Sequence, residues 1–131
     1  MPFPRLEPGR IRVFPLAGRM SKTVIRETAV DPEQAPPAAP EVASQAREAA
    51  ARILSARARG ASVILAFGAH LIKNGAAPLV IRMMERGWIT HLATNGAGAI
   101  HDWEFAYQGA SEEDVRANVA QGCFGTWDET G

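Results

Sequence analysis

The residues of this chain best able to do chemistry lie between positions 95 and 102. Asn95-Gly96-Ala97-Gly98 is a turn with little side-chain bulk, and His101 and Asp102 follow it directly downstream. Small residues in a turn let a ligand approach backbone N–H groups, and a helix opening there aims its positive end at an anion. That context points to a nucleotide or another phosphate-bearing ligand. His101, whose unperturbed pKa lies near neutrality, is the candidate proton carrier or hydrogen-bond donor. Asp102 is the second catalytic candidate, although neighbours on a helix point about 100° apart and need not touch. The plainer alternative stays open beside it: a tight strand-to-helix connection, a packed histidine, and an acid favourable to the helix dipole. The turn is not the G-x-G-x-x-G dinucleotide fingerprint, and no P-loop sequence occurs.

A second loop, Gly68 to Ala77, carries His70 and Lys73. Lys73 either meets a phosphate or extends into water. His91 lies within an apolar run and reads as structural. The histidines and Cys123 show no zinc-ligand spacing such as H-E-x-x-H or C-x-x-C, so no metal is expected. Cys123 has no paired base, and Met83 and Met84 read as core packing.

The elements that must position these groups are legible as alternating patterns. Residues 1–40 form a Pro-rich N-terminal segment and linker, in which Ile11 to Phe14 can make one short strand ended by Pro15. Residues 41–131 form an α/β region. From Glu41 to Arg59, Val42, Ala46, Ala49, Ala50, Ile53 and Arg57 share one helical face, with Pro40 suited to the first turn and Gly60 to the position past the end. The uniformly apolar run 62–67 predicts a strand covered on both faces, as in a parallel sheet. Pro78 opens the next helix and Gly87 follows it, Trp88 to Ala93 is the next strand, and 99–108 are helical. Ser111 then caps a last helix, which ends at Gly122. Helix, strand, helix, strand, helix is an α/β signature, and ligands in such sheets bind beyond the carboxyl ends of the strands, where both loops lie.

Composition narrows the partners. Lys+Arg and Asp+Glu balance at 14 each, so no basic field exists to hold nucleic acid or an anionic membrane. No apolar run approaches the roughly 20 residues that span a bilayer. One cysteine fits a reducing, cytoplasmic compartment.

With both loops in view, the block from Ile64 to about Glu104 resembles deoxyhypusine synthases and their bacterial relatives. The matching residues are Phe67-Gly-Ala-His-Leu-Ile-Lys-Asn-Gly75, the helix from Pro78 to Arg86, and Ile89-Thr-His-Leu-Ala-Thr-Asn-Gly-Ala-Gly-Ala-Ile-His-Asp102. Downstream, Ser111-Glu-Glu-Asp-Val and Phe124-Gly-Thr-Trp-Asp-Glu-Thr are similar to the bacterial synthase-like branch. The resemblance implies a Rossmann-like parallel sheet with flanking helices, bound NAD, and a homo-oligomer, a tetramer, with active sites between subunits. In that family the loop aligned with Ala69, His70, Leu71, Ile72 and Lys73 contacts NAD, as does the turn aligned with Asn95, Gly96 and Ala97.

The departures from the family are chemical. Its synthases place two adjacent acids, which hold the polyamine amines, where this chain has Ile100 and His101. An isoleucine and a near-neutral imidazole supply no counter-charge, which argues against spermidine and against true deoxyhypusine synthesis. The family's catalytic lysine lies downstream of these 131 residues, and Lys73 is not at its position. The sequence therefore reads as an incomplete, N-terminal part of an NAD-dependent transferase acting on an amine-type small molecule. The alternative is a non-catalytic α/β module, an inactive remnant or a subunit that assembles with another chain.

Overall fold

A computed structural model describing residues 3–130 shows a mixed α/β chain. Its elements are β1 (Ser21–Val24), α1 (Ile25–Thr28), α2 (Pro40–Ala58), β2 (Ile64–Phe67), α3 (Ala69–Lys73) and α4 (Ala77–Glu85). They are followed by β3 (His91–Thr94), α5 (Gly96–Gln108), β4 (Ala110–Glu113) and α6 (Val115–Ala120). The strands form two pairs, β2 with β3 in parallel and β1 with β4 antiparallel.

The helix ends follow from local chemistry. Pro40 has no N–H to lose in the first turn of α2, and Gly60, at φ +71°, closes the far end in the left-handed region. Arg57 then clips this end to the turn after α4, donating to the carbonyls of Gly87 and Ala61 at 2.8 Å each. Asn95 caps α5 by accepting from the Gly98 N–H at 3.0 Å, and Gly109 ends that helix at φ +71°. A side chain at Gly98 would collide with the Thr94 hydroxyl, so glycine here lets α5 pack tightly against the end of β3.

Several sequence expectations need correction. The run 62–67 does form a strand, but Leu65 and Phe67 are half-buried while Ile64 stays 64% exposed. One face of the β2–β3 pair is open, because α2 buries none of its own residues. Ile11 to Phe14 makes no strand; only Phe14 bridges to Trp127, and the strand of this region is Ser21–Val24. Ser111 caps no helix. It lies in β4 opposite Thr23, and Asp114 caps α6 by accepting from the Ala117 N–H at 2.9 Å. The loop 68–77 contains the short helix α3, and α5 begins at Gly96, so the Asn95–Gly98 turn is the first turn of that helix. Met84 faces outward rather than into the core.

The antiparallel pair joins residues 21–24, within the segment read as N-terminal, to residues 110–113. Around it gathers much of the buried interior: Leu16, Phe105 and Trp127, with Ile72, Val80 and Ile89 on the side of α3 and α4. Each such side chain contributes roughly 1.5–3 kcal/mol by leaving water. No helix among the described residues is long and apolar enough to cross a membrane.

Candidate functional site

Glu104, on α5, is the charged centre of the molecule. Burial of a lone carboxylate is costly, so it must be paired. Arg19 supplies the partner through two 2.7 Å hydrogen bonds, Nη1 to Oε1 and Nη2 to Oε2, with the two side chains only 3% and 2% exposed. Arg19 is itself held by Ser21 Oγ at 3.3 and 3.2 Å, and its guanidinium lies 5.7 Å from the centre of the Trp127 ring. Burial works against the charge on Glu104, but the Arg19 and Ser111 hydrogen bonds and the nearby positive charge outweigh it. Its carboxyl is held below the ordinary value.

From this centre a chain of hydrogen bonds reaches His101. The buried Ser111 hydroxyl donates to Glu104 Oε2 at 2.5 Å, and His101 Nδ1 lies 2.6 Å from the same hydroxyl oxygen. With the Ser111 proton committed to the carboxylate, its oxygen accepts, so His101 donates from Nδ1. The other ring nitrogen, Nε2, is then an unprotonated acceptor. Burial holds His101 below the ordinary imidazole value. Glu104 and Glu112 pull it upward, while Lys73 and Arg19 push it down. Glu104, Ser111 and His101 thus form a carboxylate–hydroxyl–imidazole relay that stabilises one tautomer and leaves a neutral base.

His101 opens onto a polar cleft of about 590 Å³, lined also by Lys22, Lys73, Glu112, Glu113, Asp114, Val115, Arg116 and Phe124. Lys73 Nζ donates to Glu112 Oε1 at 3.0 Å, and Thr23 Oγ1 donates to Oε2 at 2.8 Å. These two bonds, Thr23's first, hold the Glu112 carboxyl below its ordinary value. Glu112 is the one non-glycine residue among those described with a left-handed backbone, φ 69°, a conformation costing roughly 1–3 kcal/mol that the surrounding pairing must hold.

The residues singled out in the sequence fall into separate groups. Lys73 and His101 share the polar cleft. Asp102 does not join them: it turns to the other side of α5, onto an apolar cleft of about 580 Å³ with Phe67, Ile72, Leu92, Thr94 and Trp103 among its lining. Asn95 uses its side chain as the helix cap, leaving the N–H groups of Gly96 and Ala97 as the unclaimed donors of the first turn. Ile72 is buried in the core and His70 is exposed. The two loops do adjoin: Phe67 and Thr94 are register partners at the carboxyl ends of β2 and β3, and the position of a Cβ on Gly68 would lie 3.6 Å from Asn95 Nδ2. A Cβ on Gly96 would meet nothing within 4 Å.

Arg19, Glu104, Ser111, Glu112, Lys22 and Arg116 are not among the site residues expected from the sequence, where Ser111 reads as a helix cap. For Glu104 a signal existed, since it lies three positions after His101 and shares its helical face. Arg19 and Ser111 join the site only through the β1–β4 pairing, which no local pattern announces. No protein-family model, curated protein or solved structure matches this chain.

Proposed function

We propose that this chain is the NAD-binding part of a deoxyhypusine-synthase-like, NAD-dependent enzyme with a Rossmann-like core. One observation supports the reading: the apolar cleft between α4 and α5 reaches Phe67 and Thr94, the last residues of β2 and β3, after which both small-residue loops begin. Its volume suits a nucleotide half, within the roughly 300–1,000 Å³ of ordinary ligand pockets. The Gly96 and Ala97 N–H groups at the positive end of α5 would hold the pyrophosphate, and the open space over Gly96 leaves room for it. Asp102, on the rim, would accept hydrogen bonds from ribose hydroxyls. When bound, NAD supplies the hydride acceptor that the protein's own side chains lack. His101, on the far side of α5, opens onto the polar cleft, so its Nε2 would not reach a substrate placed for hydride transfer to NAD in the apolar one.

Trp103 lines the apolar cleft and is 42% exposed, so it reports directly on occupancy. Titrating the purified chain with NAD should quench its fluorescence saturably, and Trp103→Phe should abolish that signal. Absence of saturable quenching in the native chain refutes the reading.

A second reading, a module that assembles with another chain, draws on the exposed apolar surface of Ile64, Leu92 and Tyr107. The first reading also implies assembly into a homo-oligomer. Light scattering on the purified chain tests it: a monomer at all concentrations argues against it.

A further inference from the structure

The longest helix, α2, stands off the body of the molecule: none of its 19 residues is buried. Arg57 ties its C-terminal end to the Gly87 carbonyl at 2.8 Å. Beside that clip an apolar slot of about 500 Å³ stays open, where Ala46, Ala50, Ile53 and Leu54 of α2 face Met83 of α4 and Trp88. Alanine side chains are too short to close the gap, and Leu54 and Trp88 remain 54% and 38% exposed. Met83 and Trp88 also wall an adjoining recess of about 350 Å³, completed by Pro32, Leu79, Arg82 and Arg86. No carboxylate among the described residues lines the slot or the recess. Arg82 is paired with Glu33 from outside it, whereas Arg86 enters no ion pair among the described residues. An apolar slot therefore runs, across a shared wall, into a recess with one unanswered guanidinium.

We propose that the slot and its recess bind one monomeric long-chain fatty acid. The hydrocarbon tail lies between α2 and Trp88, and the carboxylate meets Arg86. Each half of the ligand answers one half of the site. A neutral hydrocarbon fills the slot, displacing water from apolar surface, but leaves Arg86 without a counter-charge. A short carboxylate answers Arg86 through the paired donors of its guanidinium, yet gains nothing from the slot. A cationic amphiphile faces two arginines and no lining carboxylate. The slot alone falls within the roughly 300–1,000 Å³ of ordinary ligand pockets. This site is separate from the cleft assigned to NAD, since Met83 lines the slot while its neighbour Met84 lines that cleft.

The full chain carrying Trp103→Phe, so that Trp88 is the reporting indole, is titrated with butyrate, octanoate, laurate and lauryl alcohol below micelle formation. Laurate should shift the Trp88 fluorescence saturably, with affinity rising by up to about fourfold per added methylene along the acid series. Arg86→Ala, at the surface, should weaken laurate by about tenfold or more while leaving lauryl alcohol unchanged. Ala50→Phe should fill the slot and abolish binding of both, with the circular dichroism spectrum unchanged. Silence to laurate, equal affinity for butyrate and laurate, or laurate binding indifferent to Arg86→Ala overturns the proposal. So does retention on anionic phospholipid vesicles without a response to monomeric laurate, or a dimer that Ala50→Phe dissociates, which would make a membrane surface or a second copy the occupant. The NAD titration reads Trp103 in the native chain, so either idea can fail while the other stands.

Discussion

Replacing Arg19 by methionine removes the guanidinium while keeping much of the side-chain volume, and so isolates the charge that supports Glu104. Both side chains are almost fully buried and joined by two 2.7 Å hydrogen bonds. Breaking such a pair on one side costs about 3–5 kcal/mol, because the remaining charge is left without compensation. Against a total stability of roughly 5–15 kcal/mol, that is a large fraction. The pH dependence gives the sharper test. In the native chain Glu104 is held below its ordinary value, so its charged form stabilises the fold at neutral pH, and that contribution is lost as pH falls through the native pKa. Without Arg19, burial dominates and the folded-state pKa rises above the unfolded one. The variant is then most stable below the unfolded pKa and weakens as pH rises through the raised value. Urea unfolding followed by Trp fluorescence, at neutral pH and at about pH 5, should show the penalty shrinking toward acid. Substituting Glu104 by methionine in the same background should recover much of the loss. A variant as stable as the native chain at neutral pH, or a penalty equal at both pH values, refutes the reasoning.

Other predictions follow from the same geometry. Lys73→Met removes a positive charge that pushes His101 down, so the His101 NMR titration should move upward; Glu104, Glu112 and Arg19, the other charges around the ring, remain in place. Ser111→Ala should leave His101 Nδ1 without its partner, and ¹⁵N shifts should then report a mixture of ring tautomers in place of one. Gly98→Ala should destabilise by about 1–3 kcal/mol in thermal unfolding through overpacking against Thr94, and Thr94→Ala should rescue it by removing the hydroxyl in the way. Asn95→Ala should cost about 1 kcal/mol through loss of the α5 cap, without changing the His101 titration.

Much of the local architecture was legible in the residues. Pro40 and Gly60 bracket α2, and the apolar runs before the two small-residue loops mark β2 and β3. Their side-by-side exit follows from the α/β pattern. What the pattern hid was the second sheet. Ser-Lys-Thr-Val and Ala-Ser-Glu-Glu are too polar to signal strands alone, and they pair because each covers part of the other's backbone hydrogen-bonding edge. The relay was hidden for the same reason: Arg19 and Ser111 come to Glu104 across that pairing, while only the His101–Glu104 spacing is local. Adjacent His101 and Asp102 drew attention as a pair, yet helical geometry sends them to different clefts.

The β1–β4 ladder has a kinetic corollary. Its partners stand roughly ninety positions apart along the chain, so closing it carries the entropy of a very long loop and belongs to the last stage of folding. The relay and the cleft around His101 straddle that ladder and can assemble only when it closes. The imidazole resonance is thus a built-in clock: in refolding, native-like His101 signals should emerge together with protection of the β1 and β4 amides, after the helices have formed.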